Sequence, residues 1–150
     1  MENNMQCPVD FVPMNENKAR LTALFVLILC IVFLFTNWWI IIAFLVVDFL
    51  LRANNLGKYT LLAILSDVII NQLKIKNKPT DRAPKRFAAG VGLVFTIGVL
   101  ILTLLKLDTA TLIVILVLIF FAFLESFIGF CAGCYVYSIL NMIVKSFRNN

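Results

Sequence analysis

Apolar residues in this chain gather into long runs, and the polar residues between them predict where helices begin and end. Residues 21–35 form an uncharged apolar run. Thr36-Asn37 interrupts it, and Trp38-Trp39 restart it as far as Leu51. As one helix this stretch would reach ~45 Å, against a hydrocarbon core of ~30 Å. A tight helical hairpin turning at Asn37 resolves the excess and puts Trp38 and Trp39 at the membrane interface, where amphipathic rings belong. Each span is then short, so the flanking Lys18, Arg20 and Arg52 are expected to snorkel.

The pattern changes over residues 53–86. Leu61, Leu65, Ile69 and Leu73 share one helical face, and Asp67, Asn71, Lys74 and Lys78 share another. This predicts an amphipathic helix over about residues 59–78, lying on an anionic membrane surface or docked on the bundle. A basic, proline-bounded loop follows, from Pro79 to Arg86. Residues 87–105 read as a third span, and Lys106-Leu107-Asp108 as a short polar turn. The last run, 109–144, contains a single charge, Glu125. As one helix it would be ~54 Å long, so it projects beyond the bilayer or breaks. Gly129 and Gly133 are the candidate break points.

The expected fold class is therefore all-α, an integral membrane four-helix bundle with an additional interfacial amphipathic helix. The spans fall at about 21–36, 38–52, 87–105 and 109–131 within a membrane domain covering 21–144. Residues 1–20 are a cytoplasmic N-terminal segment and 145–150 a C-terminal tail.

Composition agrees with this reading. The 150 residues are 62% hydrophobic and 14% charged, and the mean hydropathy is +0.99, whereas soluble domains are about 45–50% apolar and ~25% charged. The first twenty residues are polar and carry Glu2, Asp10 and Glu16, which does not suit a cleavable signal peptide. With four spans, every Lys and Arg except Lys106 lies on the side shared by both termini and the 53–86 segment. The positive-inside rule makes that side cytoplasmic.

The chain has no histidine. That excludes, within this chain, histidine-ligated haem, His-containing zinc sites and a Ser-His-Asp triad. No Gly-rich phosphate loop is present. The expected partner is the lipid bilayer, with no nucleic acid and no cofactor.

The candidate chemistry rests on cysteine. Cys131-Ala132-Gly133-Cys134 is a Cys-x-x-Cys pair in an apolar run, able to close a disulfide, hold a sulfur atom or share a metal. Its alternative reading is two small packing residues. If the helix breaks at Gly129, Cys131 sits near a new helix N-terminus, which favours a thiolate. Lys85 and Arg86, at the same membrane level, add positive potential. Topology puts Cys7 on that face too, beside Pro8, with Val9, Phe11, Val12 and Met14 able to fold its segment onto the bundle. Metal binding would need Asp10 or Glu16 as a fourth ligand, and no metal is assigned. A cytosolic face is reducing, so a cycling disulfide suits it better than a permanent one. Cys30, mid-span, reads as structural.

Two acids fall within the spans. Asp48 lies four residues before Arg52 and reads as half of an ion-paired helix end. Glu125 lies ~9 Å of helix before Cys131. It is either a proton acceptor for the cysteines or the partner of a basic residue across the bundle.

These motifs occur in a fixed order: Cys7-Pro8-Val9, Asn15-Glu16 with Arg20, Asp48 with Arg52, Ala83-Pro84-Lys85-Arg86-Phe87-Ala88, and Glu125 with Gly129-Phe130-Cys131-Ala132-Gly133-Cys134-Tyr135. In this the chain resembles a bacterial integral-membrane family, the domain of unknown function DUF4395. The resemblance implies four spans and a loose association with thioredoxin-like and rhodanese-type sulfur-transfer proteins. It implies no role for any one residue.

The functional expectation is thiol–disulfide or sulfane-sulfur handling in the inner membrane with a soluble thioredoxin-like or rhodanese-like protein. In it Cys131, Cys134 and Cys7 are the exchanging thiols, Glu125 the proton acceptor, and Lys85 and Arg86 the thiolate stabilisers. A transporter or channel for a small sulfur compound or anion is the alternative, and a non-catalytic membrane scaffold the third reading.

Overall fold

The structure is a computed structural model. It describes the backbone of residues 13–129 and 132–149, and the side chains of these except 13, 80–84, 132 and 134. Among the described residues the fold is all-α apart from one three-residue strand pair.

Helix α1 (Glu16–Thr36) is capped by Asn15, whose side chain accepts a hydrogen bond from the Asn17 backbone N–H at 3.1 Å. Glu16 in the first turn suits the positive end of the helix dipole. The helix stops at Asn37, which takes a left-handed conformation with φ 52° and donates its N–H to the Phe33 carbonyl. Asn tolerates that conformation better than the apolar residues around it. Trp38 is extended and α2 (Trp39–Ala53) returns. The chain thus turns where the length argument puts the turn, and both tryptophans are exposed at it.

A 3₁₀ turn (Gly57–Tyr59) leads into α3 (Leu61–Leu73), capped by the Thr60 hydroxyl, which accepts from the Ala63 N–H at 3.2 Å. This helix is shorter than the 59–78 expected from the pattern, and the face with Leu61, Leu65 and Leu73 is not the one that packs on the bundle. Leu62, Ala63, Ser66 and Ile70 pack inward, whereas Leu61, Leu65 and Leu73 are exposed. α3 docks on α1. There Lys18 pairs with Asp67, and the Thr22 and Ser66 hydroxyls lie 3.1 Å apart in the buried interface.

Strands β1 (Pro13–Asn15) and β2 (Pro79–Asp81) pair antiparallel, Met14 opposite Thr80. The sequence pattern reads both as irregular. Around them Glu16 donates its N–H to the Lys78 carbonyl at 2.9 Å, and the Glu16 carboxylate meets Lys78 Nζ at 3.1 Å and Arg20 at 2.7 Å. These bonds tie the start of α1 to the segment after α3.

Helix α4 (Arg82–Leu104) packs on α2 and on α5 (Asp108–Phe123), and α1 packs on both α2 and α5. Cys30 and Phe33 of α1, Ile42 and Leu45 of α2, Val99 of α4 and Ile115 of α5 are essentially unexposed where these helices meet. Cys30 fills space in that core. Among the described residues three segments, Glu16–Thr36, Lys85–Leu104 and Asp108–Ile128, are long and apolar enough to cross a membrane. At 15 residues, α2 is ~22 Å long.

The 109–144 run breaks. After Phe123 the helix widens into a π turn (Leu124–Ile128) and stops at Gly129, which is left-handed with φ 71°. Helix α6 (Ala132–Arg148) then packs against α4. Gly133, the other candidate break, lies inside α6. A Cβ there would sit 2.5 Å from the Ala88 Cβ and 2.6 Å from its Cα, so it permits close approach of α6 to α4.

The same logic predicts opposite outcomes at two neighbouring glycines of α4. A Cβ at Gly92 would lie 2.5 Å from the Phe49 ring, whereas one at Gly90 meets nothing within 4 Å. Gly92→Ala is expected to destabilise by ~1–3 kcal/mol through overpacking. Gly90→Ala is expected to be neutral or stabilising by up to ~1 kcal/mol through reduced backbone freedom. Thermal unfolding of the purified variants in detergent checks the pair.

Candidate functional site

The C-terminal half of α2 carries the most deeply buried charge in the described residues. Asp48 is 3% exposed and forms an ion pair with Arg52, four residues on. Arg52 also lies with its guanidinium carbon 5.4 Å from the Phe49 ring centroid. Thr60, itself buried, sets its hydroxyl beside Asp48. The pair is not closed on itself. Arg52 feels the charge of Glu125, which lies on the π turn after α5. Glu125 in turn feels Lys85 first and Arg52 second. Four charges from α2, α4 and the end of α5 thus act on one another.

Three contacts hold these helix ends together. Arg86 donates from Nε to the Ala53 carbonyl at 2.8 Å, satisfying an otherwise orphaned C-terminal group of α2. The Arg20 guanidinium occupies the space a side chain at Gly129 would need, so α1 and the end of the π turn meet there. Gly133 seats the first turn of α6 on Ala88, one turn beyond Lys85. The π turn matters for aim: its extra residue per turn rotates Glu125 relative to a regular helix, a device often found at functional sites.

A cavity of about 890 Å³ opens among these ends, within the ~300–1,000 Å³ usual for ligand sites. Arg52, Lys85, Arg86 and Glu125 all line it, and so does Gly133, one of the two residues between the cysteines of the Cys-x-x-Cys motif. Asp48 does not line it and stands behind Arg52.

Of the residues singled out from the sequence, the fold therefore gathers Arg52, Lys85, Arg86 and Glu125 around one cavity, with Asp48 as a support. Cys7 and Cys131 lie outside the described residues. Cys134 is in the first turn of α6, and its side chain lies outside them also. Lys58 and Lys74, which contribute to the rim, were not site candidates from the sequence. Lys74 reads there only as part of the polar face of the amphipathic helix, no local motif marks Lys58, and the docking of α3 brings both to the rim. Lys18, read as a snorkelling residue, lines the cavity while bound to Asp67.

A family model described as Domain of unknown function (DUF4395) matches residues 14–142. No curated protein and no solved structure matches the chain.

The buried pair generates a test by itself. Asp48→Ala leaves Arg52 without its nearest counter-charge and is expected to destabilise by ~3–5 kcal/mol. The double variant Asp48→Leu/Arg52→Met removes both charges and should recover most of that loss. Denaturant or thermal unfolding of the single and double variants measures the coupling.

Proposed function

The chain belongs to the DUF4395 family, and on that premise we propose that it is a four-span protein of the bacterial inner membrane that handles disulfides or sulfane sulfur at its cytoplasmic face. In this reading α2 is the short second span, α3 lies at the membrane interface and both termini are cytoplasmic. The basic residues that dominate the rim of the cavity support that orientation through the positive-inside rule.

One observation carries the reading. Gly133, inside Cys131-Ala132-Gly133-Cys134, lines a cavity whose wall also holds Lys85, Arg52, Arg86 and Glu125. A thiolate at that wall would be stabilised by the lysine and arginines, and Glu125 would accept the proton the thiol gives up. With a disulfide-bearing thioredoxin-like protein, one cysteine of the pair attacks a partner sulfur, forming a mixed disulfide and releasing the partner's other sulfur as thiolate. The second cysteine then attacks the mixed disulfide. The chain is left as the Cys131–Cys134 disulfide and the partner as a dithiol, with electrons conserved between the two. With a rhodanese-like persulfide, the thiolate takes the outer sulfur and frees the partner's thiolate. Cys7 is a third exchanging thiol on the same face.

A second reading, a transporter or channel for a small sulfur compound or anion, draws on the excess of basic groups around the same cavity.

Trapping separates the two. In cells producing Cys134→Ser or Cys131→Ser, one of the variants should accumulate a reducible adduct with a soluble thiol protein, absent when all of Cys7, Cys131 and Cys134 are Ser. If neither variant yields an adduct, and vesicles containing the triple-Ser protein take up labelled thiosulfate as the unchanged protein does, the thiol reading fails in favour of transport.

A further inference from the structure

The cavity has two unlike ends, and one class of ligand suits both. At the end where α1 and α4 begin, Lys18, Arg52, Lys58, Lys74, Lys85 and Arg86 line it, against only Asp67 and Glu125. Lys18 is engaged by Asp67, Arg52 by Asp48, and Glu125 acts on Lys85 first and Arg52 second. The rim keeps a positive excess after these pairings. Arg52 adds a specific donor: its Nε is buried with no hydrogen-bond acceptor among the described residues. A buried donor of this kind is costly unless a ligand supplies the acceptor.

The other limb is apolar. Val26, Phe95, Leu118 and Phe121 line it. Val26 lies eight residues from Lys18, Phe95 ten from Lys85 and Leu118 seven from Glu125 along their helices, ~10–15 Å from the rim. Water there would find few partners. A small anion held at the rim would leave this limb unfilled, and a purely apolar molecule would leave the rim charges uncompensated.

We propose that the cavity is a binding site for an anionic phospholipid, with its phosphate at the basic rim beside Arg52 and Lys85 and an acyl chain in the apolar limb. The site does not depend on the cysteines, so it stands or falls separately from the thiol chemistry. A bound lipid would form the wall facing Gly133 and would set which molecules reach the Cys-x-x-Cys motif.

The experiment is native mass spectrometry of the full chain in a neutral detergent, titrated with dioleoyl phosphatidylglycerol or dioleoyl phosphatidylcholine. A single adduct is expected that favours the anionic lipid by about tenfold or more, the scale set by a few lysines near an anionic headgroup. Lys58 and Lys74 are exposed, so Lys58→Gln/Lys74→Asn should fold normally, as its unfolding temperature will show, and lose most of that preference. The Cys7/Cys131/Cys134 triple-Ser variant should bind like the unchanged protein. Glycerol phosphate, the headgroup without chains, should not compete. Equal binding of the two lipids, or a preference untouched in the folded double variant, would mean nonspecific annular lipid and overturn the proposal. Displacement by glycerol phosphate or inorganic phosphate at comparable concentration would mean a free-anion site and overturn it equally.

Discussion

A charge placed inside a membrane protein must be answered within reach, because lipid and packed side chains offer it nothing. Arg52 is the charge on which this fold turns. It sits at the end of the short α2, pairs with Asp48 in the C-terminal half of the same helix and faces Glu125 from the end of α5. Satisfying it draws the end of α5 toward the end of α2, and Lys85 at the start of α4 is drawn to the same carboxylate. Apolar packing of α1, α2, α4 and α5 then fills the rest of the section with groups such as Phe33, Leu45, Val99 and Ile115. In lipid such packing distinguishes orientations weakly, since both surroundings are apolar. The charges are what make one arrangement distinct.

Small residues make that gathering sterically possible. Gly129 leaves room for Arg20 and takes the left-handed turn that ends the π turn, and Gly133 lets α6 lie against Ala88. Gly129 precedes the cysteine motif in sequence and Gly133 lies within it. The contact at Gly133 therefore puts that part of the motif's backbone beside a cavity with a basic rim and an apolar limb.

Some of this is written in the chain. The turn at Asn37 follows from a run too long for one span and from a residue that tolerates positive φ. The break at Gly129 follows the same way. The spacing of Asp48 and Arg52 announces an ion pair, and the pair forms. Other features are not legible. Gly133 reads as a break but serves as a contact, because its neighbour Ala88 is far away in sequence. The pattern of Leu61, Leu65 and Leu73 marks a face without saying which way it points, and here it points outward while Leu62, Ser66 and Ile70 dock. That docking, together with the Pro13–Asn15 and Pro79–Asp81 pairing, brings Lys58 and Lys74 to the rim. The π turn that aims Glu125 has no sequence signature either.

The cavity's charges and the Cys-x-x-Cys motif are proposed to form one electrostatic unit. The most direct measurement is the pH dependence of N-ethylmaleimide alkylation at Cys131 and Cys134 in membrane vesicles, made in a Cys7→Ser background with and without Lys85→Gln. If the unit exists, loss of the lysine weakens thiolate stabilisation, so the alkylation midpoint moves to higher pH and the rate at neutral pH falls. Superimposable profiles for the two proteins would contradict the claim and separate the cysteines from the cavity.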